Sequence, residues 1–218
     1  MSPSKARSYI DAGIKLLDTQ HWETQYSLSL DLFEMSASVS CMHGDISAMS
    51  TCLDDILSHA KTFDDSLTAS SLLVKLLASS SKFEEARSNC LMILSNLGEV
   101  FPSEVSLPLV LNQISAIQTA LTNITVDQIK LLPPMTDRRK LNALKFMNML
   151  SSLSFMSKPM LLPFVSSRMV SSMLLYGFCD DGIIGLATAA CSVVSTINTI
   201  YVEVWVLHST LLEARIAI

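Results

Sequence analysis

The chain has 218 residues and only 6 Gly and 7 Pro. So few backbone breakers suit long helices better than a many-turned β-fold. Charged residues make up 16% and aromatics 6%. The formal net charge is −5, and no run of Lys and Arg is long enough to supply a basic face locally. A nucleic-acid surface needs a clustered positive face, so binding of that class is not expected. Cysteine occurs five times, at 41, 52, 90, 179 and 191, with no Cys-x-x-Cys pair. An odd number without paired spacing suggests neither a disulfide framework nor a zinc cage. Reduced thiols in an intracellular, cytoplasmic protein are expected, and the charged segment after Met1-Ser2-Pro3-Ser4-Lys5 does not read as a secretory signal. The sequon at Asn123 then carries no meaning.

What is present is helical periodicity. Half of the residues are apolar, enough at this length for a sizeable core. Ala6, Tyr9, Ile10, Gly13, Ile14 and Leu17 form a stripe of i, i+3, i+4 spacing over residues 4–18. After the polar break Thr19-Gln20-His21 and Trp22, a second stripe runs through Tyr26, Leu28, Leu30, Phe33, Ala37 and Cys41. Gly44 can close that helix in the left-handed conformation, and Asp45 is placed to cap the next. Further helices are expected over 46–60, to about Ser79, and from Phe83 to Leu97-Gly98. Others follow over 107–124, 126–131 (Thr125 cap), 138–156 (Thr136 or Asp137 cap) and from Pro159 to about Gly177.

An internal repeat underlies the first half. Aligning Ile46 with Phe83 gives an offset of 37 residues (83 less 46). It also matches Met49 with Ala86, Leu53 with Cys90, Ile56 with Ile93 and Leu57 with Leu94. Each unit reads as a helix, a tight turn and a helix, with a bulky inward residue followed by a small or flexible one. Such pairs cannot bury their own apolar faces and so stack. The fold expected is all-α: stacked antiparallel helix pairs in two helical subdomains, 1–132 and 133–218. Pro133-Pro134 marks the division, because neither proline can sit inside a helix.

Residues 182–202 contain no charge and have the length of a membrane span. Thr188, Ser192, Ser195, Thr196, Asn198 and Thr199 make the stretch polar, and no basic flank anchors it. A buried helix pair is the reading adopted, with a membrane-associated protein anchored through 182–202 as the alternative. Tyr201 to Val206 alternates like a strand but is read as helix in this setting.

The residues able to carry chemistry are few. They are His21, His43, His59 and His208 with the acidic pairs 54–55, 64–65, 84–85 and 180–181. Neighbouring acids on a helix point about 100° apart and cannot converge on one centre. His59 and Asp55 read as a solvated i, i+4 pair. Cys90 and Cys179 lie in no nucleophile elbow. Met147, Met149, Met156, Met160, Met169 and Met173 read as core filling, with an adaptable binding groove as the sharper alternative. Arg138-Arg139-Lys140 reads as a solvated turn, or as a contact for an acidic partner. No catalytic, cofactor or metal site is expected.

Phe83-Glu84-Glu85-Ala86 after a polar turn resembles the tetratricopeptide repeat. A broader resemblance rests on several blocks. They are residues 9–17 (YIDAGIKLL), Trp22, Tyr26-Ser27-Leu28-Ser29-Leu30 and Gly44-Asp45, then Leu94-Ser95-Asn96-Leu97-Gly98 with Phe101-Pro102, and Leu132-Pro133-Pro134-Met135-Thr136-Asp137. Together they resemble the helical-repeat region that follows the P-loop ATPase domain in large signalling proteins. Such proteins combine a serine/threonine kinase-like domain, the ATPase, the repeats, a GAF domain and often a histidine kinase. The resemblance covers roughly residues 9–177 and implies an intracellular scaffold whose partners are proteins or neighbouring domains. It brings no catalysis, because the chain lacks a Gly-x-x-x-x-Gly-Lys-[Ser/Thr] loop and the kinase lysine, His-Arg-Asp and Asp-Phe-Gly motifs. A mean hydropathy of +0.42 also suggests self-association through the apolar C-terminal helices.

Overall fold

The computed structural model describes residues 3–122 and 124–194. Asn123, Tyr201 to Val206, His208 and the last third of the 182–202 stretch lie outside them. Among the described residues there are eleven α-helices, one 3-10 turn and no strand. Over the described residues the fold is all-helical. Its contacts divide it into two compact units, Met1–Asn89 and Cys90–Ile218.

Unit 1 holds α1 (Pro3–Lys15), α2 (His21–Thr24), α3 (Tyr26–His43), α4 (Ile46–His59), α5 (Phe63–Ser79) and the start of α6 (Phe83–Asn96). α3 is its centre, packed against α1, α2, α4 and α5, while α4 also packs on α5. Phe33 and Ala37 of α3 meet Met49, Leu53 and Ile56 of α4 and Ala69 and Leu72 of α5 in one apolar cluster. Full burial of each large member contributes about 2 kcal/mol. Ile46, expected to lead the inward face, is 55% exposed, and Leu57 is 37% exposed whereas its repeat partner Leu94 is fully buried. The other three matched pairs, 49 with 86, 53 with 90 and 56 with 93, are buried at both positions.

The turns explain the repeat further. Gly44 adopts φ 69°, its N–H bonded to the Cys41 carbonyl and that of Asp45 to the Ser40 carbonyl. This is the Schellman closure of a helix. The Asp45 side chain then accepts the Ala48 N–H and caps α4. Ser81, 37 residues after Gly44, repeats the closure with φ 61°, bonding Ser81 N–H to Ala78 and Lys82 N–H to Leu77. Serine is strained in this region by about 1–2 kcal/mol. Ser81→Gly is therefore expected to stabilise the protein by about 1 kcal/mol once glycine's extra unfolded-state entropy is subtracted. Urea unfolding checks this, and an unchanged or lowered midpoint would show the strain is absent.

Unit 2 continues with the end of α6, α7 (Leu107–Thr122), α8 (Val126–Lys130), α9 (Arg138–Ser157), the 3-10 turn Pro159–Leu161, α10 (Leu162–Tyr176) and α11 (Asp180–Val194). A Thr125–Gln128 capping box opens α8, and Asp137, whose carboxylate accepts the Arg139 and Lys140 N–H groups, opens α9. α10 packs against α7, α9 and α11, and α11 also reaches α7 and α9. α10 and α11 approach closely because α11 presents glycine. A Cβ on Gly185 would lie 2.5 Å from the Met169 Cβ, and one on Gly182 3.0 Å from Met173 Cγ. Val110, Ile114 and Ile117 of α7 share a cluster with Val170, Met173, Leu186 and Ala189.

Pro133-Pro134, expected to mark the division into 1–132 and 133–218, lies inside unit 2. The Pro133 carbonyl accepts the Phe178 N–H at 2.7 Å, and the Met135 N–H donates to the Phe178 carbonyl at 2.9 Å. The segment is thereby stitched into unit 2, and the contact boundary falls within α6. The uncharged stretch, where described, is the helix to Val194, with Ile183, Leu186 and Ala189 buried. No helix of the described residues is long and apolar enough to cross a membrane.

Candidate partner-binding surface

The two grooves of note both open beside α1. One, of about 710 Å³, runs between α1 and α3 and is lined by Ala6, Tyr9 and Ile10 on one side and Leu32, Met35 and Val39 on the other. Asp31 and Glu34 supply the charge along it. Gly13 sets the spacing of its walls, since an added Cβ would come within 3.2 Å of a Leu32 methyl. The second, of about 520 Å³, is bordered by Arg7, Asp11, Lys15 and His43. Arg7 is drawn onto Asp45 at 2.8 Å, tying α1 to the cap of α4.

Around the other end of α3 the rings gather. Trp22 lies 4.7 Å from His59 with the two planes within 2° of parallel, and it also meets Phe33 and Tyr26. His21 stacks on Phe33 and places Nδ1 2.9 Å from Ser29 Oγ. The His59–Asp55 reading changes accordingly. His59 Nδ1 donates to the Asp55 main-chain carbonyl at 2.8 Å and not to its carboxylate, while the ring covers Trp22. Tyr26 donates its hydroxyl to Asp65 at 2.7 Å, accepts the Lys61 N–H at 2.8 Å and lies under the Lys61 ammonium. These contacts fix the α4–α5 turn to the start of α3.

The hydrogen bond from Arg7 holds the Asp45 carboxyl below the ordinary carboxylate value, and the Tyr26 hydroxyl does the same for Asp65. A depressed carboxyl contributes stability that is complete above the unfolded value of about 3.9 and fades as pH falls through the folded value. The gap in urea midpoint between the native protein and an Asp45→Asn, Asp65→Asn double variant should be widest above about pH 5. It should narrow steadily towards about pH 2. A gap that stays constant or widens on acidification contradicts the two contacts.

The remaining singled-out residues are structural. Phe83 is half-buried at the start of α6, and Ala86 beyond it is fully buried. Gly98 takes φ 91° and closes α6, with the Glu99 N–H bonded to the Leu94 carbonyl. Trp22 and Tyr26 are brought together, as are Gly44 and Asp45, whereas Pro133 and Pro134 stand with Phe178. The basic cluster has a partner inside the chain. Arg139 donates to the Asn96 and Leu97 carbonyls, satisfying the end of α6, and Lys140 reaches Glu99 at 2.7 Å. Met147, Met169 and Met173 are fully buried, but Met156 and Met160 are exposed, so the methionines form no single groove.

Burial pushes the Cys90 thiol up to about 12 and raises Cys179 as well, which works against a thiolate nucleophile at either. Among the described residues, no three His, Cys, Asp or Glu side chains are grouped to hold a metal ion. Sequence reasoning missed the left-handed Ser81, the His59–Trp22 stack and the Glu99–Lys140 pair. The 37-residue offset from Gly44 was the one available signal for the first.

Comparison of the chain with family models, with curated proteins and with solved structures found no match in any of the three.

Proposed function

We propose that the chain is a non-catalytic helical-repeat interaction module of tetratricopeptide-like kind, built of stacked antiparallel helix pairs. It acts as a scaffold between neighbouring domains of a multi-domain signalling ATPase/kinase. The observation that carries this reading is the recurrence, 37 residues apart, of a left-handed helix closure at Gly44 and Ser81. Behind both closures comes a helix with buried residues at matching positions, Met49 and Ala86, then Leu53 and Cys90, then Ile56 and Ile93. A repeat of closure and buried face together is what a stack of like helix pairs requires. The open groove along α1 and α3 is consistent with a face awaiting a neighbour.

In this role the module has no chemical step. The helix pairs lie between the neighbouring domains and offer them exposed faces on which to dock. Immunoblotting of source cells with an antibody against residues 20–130 tests the assignment. A product far larger than the 23.9 kDa of this chain fits a segment of a larger signalling protein. A product of that size alone overturns the multi-domain part of the reading.

A further inference from the structure

α3 carries two apolar faces. Leu30, Phe33, Ala37 and Cys41 belong to the unit 1 core. On another side run Leu28, Leu32, Met35, Val39 and Met42, separated by four, three, four and three residues. That spacing is the seam one helix offers to another, and it extends for about 21 Å at 1.5 Å per residue. α1 covers only part of it, through the approach of Gly13 to Leu32. Leu28, Met35 and Met42 are exposed, and Tyr9 on the facing wall of the groove is 69% exposed. A second apolar stripe on a helix is ordinarily covered by a neighbour, as the first is. Asp31, exposed on α3, lines the groove and is acidic.

We propose that the α1–α3 groove binds a partner α-helix of about four turns. Its apolar residues fall at i, i+3 or i+4 and i+7, and Lys or Arg flanks them. This deepens the interaction-module reading and rests on it. The helical form follows from the period of the α3 seam, since a strand or an extended peptide would match it at no more than one or two positions. The basic flank follows from Asp31, beside which an acidic helix would be repelled. Met35 of α3 and Tyr9 of α1, both exposed in the groove lining, are the two anchors, and Asp31 steers the flank.

The probe is a phage-displayed library of randomised peptides of about 18 residues, panned against the full chain. The library length matches the seam plus one turn. Enriched peptides are expected to show the apolar helical spacing with Lys or Arg beside it. Their binding should weaken about tenfold or more on Met35→Glu and again on Tyr9→Ser, both exposed positions. Circular dichroism and thermal unfolding of the two variants should match the native chain. Asp31→Asn should select a less basic flank. Acidic or non-helical winners overturn the proposal, as do peptides that bind both variants unchanged. So does sedimentation showing a native dimer that Met35→Glu dissociates, which would make a second copy the occupant. Peptides that bind elsewhere sink the groove and leave the module standing, whereas a chain that enriches no peptide at all counts against both.

Discussion

Replacing Gly177 with alanine is expected to destabilise unit 2 by about 4 kcal/mol, more than an ordinary surface change by several-fold. Gly177 ends α10 at φ 112°, a conformation in which side-chain-bearing residues are strained. The space is closed as well, for a Cβ there would sit 2.4 Å from the Pro133 carbonyl oxygen. That oxygen is fixed by the Phe178 N–H and cannot withdraw without breaking the pair of bonds that hold 133–135 against 178. Backbone strain of about 1–3 kcal/mol and steric overlap of similar size therefore add. Gly44, which also has positive φ but nothing within 4 Å of an added Cβ, supplies the control. Gly44→Ala should cost only about 1–2 kcal/mol. Equal losses in urea unfolding at the two sites would show that the Pro133 contact contributes nothing.

Lys140→Met should cost about 3–5 kcal/mol, because it leaves a carboxylate buried without its cation. Glu99 is 5% exposed, and Lys140 Nζ lies 2.7 Å from it and 4.9 Å from the centre of the Tyr176 ring. The attraction within the pair and the loss of hydration on burying it nearly cancel, so removing both charges is far milder than removing one. Lys140→Met with Glu99→Leu should recover most of the loss and leave a net change within about 1 kcal/mol. A double variant as unstable as the single one would mean that the lysine stem, and not its charge, holds the site.

Those two sites show where sequence reading succeeds and where it stops. Periodicity located the long helices from α1 to α10 to within a few residues, because amphipathic spacing reports directly on which face is inside, whereas α11 lay in a stretch read only as a buried helix pair. Gly44 and Asp45 were legible for a local reason: a left-handed closure wants glycine, and a helix start wants a short polar acceptor. Ser81 performs the first of those tasks with a residue that does not advertise it. Arg139 and Lys140 read as solvated because their partners, Asn96, Leu97 and Glu99, stand 41 to 43 residues away. Pro133-Pro134 correctly marked the absence of helix, but only the fold could show that the segment joins Phe178. The second apolar face of α3 was hidden for a related reason. Leu28 fell on the same stripe as Phe33 until tertiary contacts separated exposed from buried.

The separation of the two clusters along the chain also orders their appearance during synthesis. The unit 1 cluster has its last member at Leu76, whereas the unit 2 cluster is not complete until Ala189 leaves the ribosome. At about 5–20 residues per second the delay is on the order of ten seconds. For that interval the α3 seam stands on a finished core while the apolar faces of α7, α9 and α10 are still without α11. A nascent chain of this protein is therefore most exposed to aggregation in its second half, and a chaperone acting on it would be needed late.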